Sequence, residues 1–159
     1  MKITILCVGK IKERFFRDGI EEYKKRLSKY CKLEIMEVAD EKTPDRASEA
    51  EEQKIKEKEA ERLEKYIKKD AYVVVLAIDG KMLDSVELSE KINKLGIGGT
   101  SHIIFIIGGS LGLTREFVTN SNFVLSFSKL TFPHQLIRLF LLEQIFRSFK
   151  IINNEKYHH

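Results

Sequence analysis

Residues 103–135, IIFIIGGSLGLTREFVTNSNFVLSFSKLTFPHQ, contain two short apolar runs, and each run leads into an unusual loop. The run at 103–107 leads into GGSLG at 108–112, and the run at 123–125 leads into a serine-containing loop over 126–134. A short apolar run rich in β-formers and bounded by glycine is typical of a buried strand. Glycines at the carboxyl end of a strand let the backbone approach a ligand, and open α/β sheets bind ligands at that edge. These loops therefore predict one cofactor pocket walled by backbone and small hydroxyl groups.

The chain on either side of this segment alternates between strand patterns and helix patterns. Apolar runs and apolar–polar alternation predict strands over 3–8, 33–38, 72–78, 103–107 and 123–125. Apolar residues at helical spacing predict helices over 12–29, 47–69, 85–95, 114–120 and 133–152, with a turn at 79–81. Asp84 or Ser85, and also Thr114, can cap the helices that follow them. This order predicts an α/β fold of one domain, residues 1–159, with a parallel-rich sheet flanked by helices.

Composition bounds the class of protein. A length of 159 residues fits one domain, and 43% hydrophobic with 33% charged residues is typical of a globular protein. No apolar run approaches the ~20 residues of a membrane-spanning helix, so we expect no membrane partner. Cys7 and Cys31 lack the spacing of metal ligands, so we expect no metal site, a core position for Cys7 and a reducing, cytoplasmic compartment.

The net charge of +4 is unevenly distributed along the chain. Residues 1–30 carry nine Lys and Arg against four Asp and Glu, and residues 126–159 carry five against two. The middle, 31–125, carries fourteen against eighteen. Basic ends around an acidic middle predict a positive face suited to a polyanion such as RNA, although scattered surface charge would give the same counts.

The final predicted helix is apolar around more than one face. Its apolar residues are Leu136, Ile137, Leu139, Phe140, Leu141, Leu142, Ile145, Phe146 and Phe149. A helix this apolar in so small a protein is expected to bury a second face against a partner, so we expect a homodimer formed through it.

Several common motifs are missing from the sequence. Gly9-Lys10 is not part of G-x-x-x-x-G-K-[ST], so it does not form a P-loop. The first strand is not followed by G-x-G-x-x-G, and the chain has no G-x-S-x-G nucleophile elbow. The pocket therefore does not belong to the familiar nucleotide-binding or hydrolase classes that these motifs identify.

The two loops together give a specific resemblance. GGSLG at 108–112, FSKLTFPHQ at 127–135, Val-Gly-Lys at 8–10 and Tyr157-His158 resemble the RlmH family of SPOUT-class methyltransferases over essentially the full length. The resemblance implies a SPOUT-type α/β fold with a C-terminal trefoil knot. It places the knot and the cofactor site in about 72–153 and a functional tail at 154–159.

The family also implies a reaction, which is methyl transfer from S-adenosylmethionine to N3 of a pseudouridine in helix 69 of 23S rRNA. The expected substrate is the assembled ribosome. Carried over by position, the cofactor-binding residues are Leu76, Gly108, Phe127, Ser128, Lys129, Leu130, Thr131 and Phe132. Strand ends can offer backbone donors and acceptors there, while apolar side chains enclose a ring.

The candidate catalytic residues lie in the last predicted helix and beyond it. His134, His158 or Tyr157 could accept the N3 proton, and Arg138 could contact RNA or the cofactor carboxylate. Tyr157 could also stack on an extruded base, and we expect the tail to be free to move without RNA. His159 departs from the usual family ending and has no assigned role.

Two other functions fit the sequence. A non-enzymatic RNA-binding module for ribosome assembly would use the basic face without a methyl donor. A small-nucleotide sensor would bind nucleotide without depending on RNA. Tightly bound S-adenosylmethionine distinguishes an enzyme from the RNA-binding module.

Overall fold

Five strands form one all-parallel sheet in the computed structural model, which describes residues 1–158. The strands are β1 (Lys2–Val8), β2 (Lys32–Val38), β3 (Tyr72–Met82), β4 (His102–Ile107) and β5 (Phe123–Ser126). Their order across the sheet is β2-β1-β4-β3-β5. The central strand β4 is buried over its whole length, which explains its uninterrupted apolar sequence. The predicted parallel-rich α/β sheet is confirmed.

Five helices connect and cover these strands. They are α1 (Arg14–Leu27), α2 (Glu49–Glu64), α3 (Ser85–Ile97), α4 (Arg115–Thr119) and α5 (His134–Ile152). The predicted caps are confirmed, because Asp84 accepts a hydrogen bond from the Glu87 amide and Thr114 accepts one from the Phe117 amide. Helix α2 ends at Glu64, short of the predicted residue 69, because the Tyr66 and Ile67 amides bond the carbonyls of residues 63 and 64 in turns that lead into β3.

The sequence predicts that the third strand ends at residue 78 in a turn at 79–81, and this prediction is wrong. Strand β3 runs on to Met82, and both Leu76 and Lys81 pair with Leu125, so that residues 77–80 form a bulge between them. Gly80 in this bulge lies directly on β5, because a Cβ atom there would stand 2.8 Å from backbone atoms of Val124 and Leu125.

The sheet separates two apolar cores, and the side chains of successive residues in one strand pack into opposite cores. Ile5 and Phe105 face α1, α3 and α5, whereas Leu6 and Ile106 face α2 and α4. The expected core position of Cys7 is confirmed.

Helix α5 buries most of its apolar surface against other elements of the same chain. Leu141, Leu142 and Ile145 are fully buried in the core that α1 and α3 share with α5. Phe140 remains exposed near the start of the helix, where its ring packs edge-on against Phe132. The apolar character of α5 therefore has an internal explanation, and Phe140 is its one large apolar side chain that is exposed.

We predict opposite effects for alanine at two glycines. Gly80→Ala should destabilise the protein by about 1–3 kcal/mol, because its Cβ would overlap the β5 backbone. Gly96→Ala should be neutral or stabilising by up to ~1 kcal/mol, because that helical position meets only the end of the Met1 side chain, at 3.3 Å. Urea denaturation of both variants tests this, and equal stabilities would contradict the close β3–β5 contact.

Candidate functional site

The carboxyl ends of β4, β3 and β5 lie side by side at one edge of the sheet, because β3 pairs with both of the other strands in parallel. The loops after β4 and β5 therefore flank β3 at Leu76 and at the bulge that follows it. This order brings the eight predicted cofactor-binding residues, Leu76, Gly108 and 127–132, to the same edge. In the sequence they are separated by up to 56 positions.

The glycine loop after β4 is closed on itself. The Gly112 amide donates a hydrogen bond to the Gly109 carbonyl at 3.0 Å, and the two residues form an isolated antiparallel bridge. Gly112 has a φ of +80°, which favours glycine, and nothing lies within 4 Å of the place where its Cβ would be. The loop therefore presents open backbone at Gly112.

Gly108 and Gly109 have a different role from Gly112. A Cβ at Gly108 would stand 3.0 Å from the Leu113 side chain, and a Cβ at Gly109 would stand 3.0 Å from a carboxylate oxygen of Glu59. These two glycines let the loop pack closely on the protein beneath it. Sequence reasoning attributed their small size to the ligand alone.

The loop after β5 is shaped by two serines. The Ser126 hydroxyl donates to the Ser128 carbonyl at 3.0 Å, and the Ser128 hydroxyl accepts from the Leu130 amide at 3.0 Å. Leu130 is left 69% exposed in this turn, and Ile78 in the β3 bulge is 49% exposed. Exposed apolar side chains on two of the three exits, together with open glycine backbone on the third, suit a ligand with a flat ring and polar edges.

Arg138 is directed into the fold. Its side chain is 1% exposed; one terminal nitrogen contacts a Glu37 carboxylate oxygen at 2.6 Å, and the other donates to the carbonyls of Val8 at 3.1 Å and Gly9 at 2.7 Å. Glu37 also accepts the Ile11 amide at 3.1 Å. Arg138 therefore ties the first turns of α5 to the ends of β1 and β2.

Sequence reasoning missed Glu37, although it left a signal. Glu37 is a charged residue at the end of the apolar strand pattern LEIMEV, next to the buried Val38. Glu37 is itself partly exposed, and its carboxylate is the partner that the buried Arg138 guanidinium needs.

His134 is the first residue of α5 and lies beside the end of β1. Its Nε2 is 3.8 Å from the place where a Cβ of Gly9 would be, and Gly9 has a φ of +90°. Burial and the nearby Arg138 guanidinium lower the pKa of His134, against an opposing effect from Asp40. His134 is therefore held neutral at physiological pH, the form that can accept a proton.

The described part of the tail packs against the second half of α5, whereas the sequence predicted it to be free. The Tyr157 ring packs edge-on against Phe146 with 5.0 Å between centroids, and its hydroxyl donates to Glu143 at 3.1 Å. His158 lies 3.0 Å from Arg147, which also pairs with Glu143. Burial, with the neighbouring Tyr23 and Glu143, raises the pKa of Tyr157 to about 12, so its phenol stays protonated.

The tail and the cofactor loops are far apart within one chain. Phe146 is twelve residues beyond His134, a rise of about 18 Å along α5. The structure thus brings His134 and Arg138 to the edge that carries the cofactor loops, and places Tyr157 and His158 well away from it. His159 lies outside the described residues.

Residues 1–158 carry neither a cluster of three metal ligands nor a helix able to cross a membrane. The side chains of His, Cys, Asp and Glu in this range include no group of three that could hold a metal ion. Within the same range, every helix is too short or too polar to cross a bilayer.

The chain is similar to known proteins over its full length. A family model described as "Predicted SPOUT methyltransferase" matches residues 1–158. A Bifidobacterium adolescentis protein named ribosomal RNA large subunit methyltransferase H is 59% identical, over 99% of both chains. A Methanococcus maripaludis protein with the same name, marked putative, is 60% identical over 99% of both chains. The Acetivibrio thermocellus protein of that name is 55% identical at equal coverage.

The fold also has a solved counterpart. The structure of a probable methylase family protein from Haemophilus influenzae covers 99% of this chain and 70% of its own, with a TM-score of 0.53. Sequence identity between the two is 14%, so this likeness concerns the fold alone.

We predict that removing the buried guanidinium destabilises this edge of the sheet. Arg138→Met should cost about 3 kcal/mol of unfolding free energy, because it leaves Glu37 and two backbone carbonyls without their donor. The exposed Arg115→Met is the matched control and should change stability by less than ~0.5 kcal/mol. Similar urea midpoints for the two variants would contradict a structural role for Arg138.

Proposed function

This chain belongs to the SPOUT methyltransferase family, and we propose that it methylates large-subunit ribosomal RNA with S-adenosylmethionine as the methyl donor. The resemblance to the RlmH family is confirmed by relatives 55–60% identical over the whole chain. The finer proposal is methylation of N3 of a pseudouridine in helix 69 of 23S rRNA, on the assembled ribosome in the cytoplasm. The observation that carries the proposal is that the carboxyl ends of three strands meet at one open, partly apolar edge. The chain in which they meet is 55–60% identical to proteins named ribosomal RNA large subunit methyltransferase H.

The residues at this edge fit the proposed cofactor. Leu76, Leu130 and Phe132 would cover the faces of its adenine ring, and backbone groups of Gly108 and of 127–131 would bond its polar edges. When bound, S-adenosylmethionine supplies a methyl group already activated by its sulfonium. The protein then has to orient the acceptor base and take up one proton.

His134 is the proposed proton acceptor. It begins the helix that follows the cofactor loop, and its lowered pKa keeps it neutral. Arg138 holds the neighbouring Gly9 carbonyl, so we assign it a positioning role beside His134. Tyr157 stays protonated with its raised pKa, so we propose that it stacks on the target base, with His158 at the base edge.

The position of the tail supports a homodimer whose sites are shared. Tyr157 and His158 cannot serve the pocket of their own chain from the far half of α5, so we propose that they complete the pocket of a second copy. Phe15 and Phe140 are exposed on α1 and α5, and Phe140 packs against Phe132 in the loop after β5. Both would form part of the interface.

The two basic ends of the chain meet at the tail. The last turn of α1 carries Lys24, Lys25 and Arg26, and the Tyr30 ring just beyond it stacks on Phe149 with 5.7 Å between centroids. The Tyr30 hydroxyl also donates to Glu155 at 2.9 Å. A basic surface beside the tail supports contact with RNA phosphates, which position a substrate without reading its sequence.

The strand order supports the proposed trefoil knot. After β4, the chain passes β3 to form β5 on the far side of β3, and α5 then returns to the face that carries α3. The proposed C-terminal knot would need such a return of the chain across the sheet.

The proposed reaction is tested by calorimetry with S-adenosylmethionine and by transfer of labelled methyl to ribosomes that lack the modification. We expect 1:1 binding per chain and incorporation at one pseudouridine. A protein that binds ribosomes without binding the methyl donor would instead be a non-enzymatic assembly module. Binding of the donor without transfer to any ribosomal RNA would also contradict the proposal.

We predict that the tail acts in trans. Deletion of 156–159 should abolish transfer and leave the affinity for S-adenosylmethionine unchanged, whereas Gly112→Val should abolish that affinity and leave the tail intact. Co-expression of the two inactive chains should restore about a quarter of the wild-type sites, because half of the dimers are mixed and each has one complete site. Absence of restored activity in isolated mixed dimers would mean that the tail serves its own chain or has no role.

We predict that His134 sets the acid limb of the pH–rate profile. Protonated His134 cannot accept a proton, and because its pKa is lowered from 6.5 the rate should fall only below that pH. His134→Asn should lower kcat by roughly 100-fold, on the scale of a lost general base, and should remove this limb. A variant with the wild-type pH profile would shift proton uptake to His158 or solvent.

A further inference from the structure

Glu59 is a buried carboxylate in a helix whose other charged residues mostly face solvent. Its residue is 3% exposed, whereas Glu57 and Glu61 on the same helix are exposed. Burying a carboxylate is costly, and burial raises the pKa of Glu59 against the opposing hydrogen bond from the Glu41 amide. A helix that keeps this side chain inside needs a reason beyond packing, because an apolar residue would fill the space at lower cost.

The first contact of Glu59 is with the segment that follows β2. One carboxylate oxygen accepts the Glu41 amide at 2.9 Å. Arg62, one turn further along α2, donates to the Ala39 carbonyl at 2.9 Å and also contacts the Glu41 carboxylate. Helix α2 therefore holds residues 39–41 through two side chains.

The second contact of Glu59 is with the glycine loop that follows β4. A Cβ on Gly109 would stand 3.0 and 3.3 Å from the two carboxylate oxygens of Glu59, and 3.2 Å from the Val8 side chain. The Glu59 carboxylate thus packs directly against Gly109. Gly109 in turn accepts the Gly112 amide, so its position determines where the open backbone at Gly112 lies.

We propose that Glu59 is a positioning residue for the cofactor loop. It bridges the backbone after β2 and the glycine loop after β4, across the end of β1 that lies between them. Through this bridge, α2 holds Gly109–Gly112 in the conformation that receives the methyl donor. The inference rests on the proposed cofactor site and adds to it a residue that does not touch the cofactor.

Three variants separate this role from general stability. Glu59→Ala removes the bridge, and Glu59→Gln keeps the size and one acceptor oxygen for the Glu41 amide. Glu61→Gln is the control, because it makes the same change on the exposed face of α2. Amide hydrogen exchange of residues 108–113 in the free protein measures how well the loop is held in place. Calorimetry measures the affinity of each variant for S-adenosylmethionine.

We expect Glu59→Ala to raise exchange in 108–113 and to weaken S-adenosylmethionine binding about tenfold, the scale of losing a group that orients a binding site. Glu59→Gln should retain most of the wild-type affinity, and Glu61→Gln should match wild type in both measurements. Unchanged exchange in 108–113 on loss of the carboxylate would overturn the proposal. This readout needs no ligand, so it decides the role of Glu59 even if wild-type protein binds no S-adenosylmethionine, a result that would refute the proposed function instead.

A steric pair gives an independent test that does not depend on Glu59→Ala remaining folded. Gly109→Ala should weaken binding because its methyl group meets the Glu59 carboxylate at 3.0 Å. Shortening the acid with Glu59→Asp should make room, so the double variant should bind more tightly than Gly109→Ala alone. Additive losses in the double variant would show that the two residues are not coupled and would overturn the proposal.

Discussion

All five strands run in the same direction, and the rest of the structure depends on this constraint. Parallel strands end at a common edge, so every loop that follows a strand is delivered to the same side of the sheet. The order β4-β3-β5 then selects three of these loops to be neighbours. The glycine loop, the β3 bulge and the serine loop could not form one pocket if any of the three strands were reversed.

Charged side chains hold this edge from both faces of the sheet. Arg138 on α5 bonds Glu37 and the end of β1 from one side, and Glu59 and Arg62 on α2 bond residues 39–41 from the other. The short segment 37–41 is thereby fixed by two helices that share no core. Arg138 and Glu59 are buried, and a buried charge is costly when it loses its partner, so these two side chains resist displacement of the loops. Such rigidity suits a site that must align a donor and an acceptor.

Helix α5 separates two sets of candidate site residues by its length. His134 and Arg138 lie on its first turns beside the pocket, and the tail packs on its second half. A helix of 19 residues spans about 28 Å, so no local rearrangement brings both ends to one pocket. This separation is the reason for the proposed homodimer, in which a second copy would supply the tail residues and the exposed Phe15 and Phe140 would lie at the interface.

The sequence by itself determined the fold class, the order of nearly all elements and the candidate cofactor loops. These follow from local patterns, because buried parallel strands need continuous apolar runs and helices need caps such as Asp84 and Thr114. Only the tertiary structure decided that residues 77–80 bulge, that Arg138 points inward and that Glu59 supports Gly109. Each of these depends on a partner at least 44 positions away, such as Leu125 for Lys81 and Glu37 for Arg138. Sequence periodicity reports which face of an element is apolar, whereas the partner of a buried charge is set by how distant elements meet.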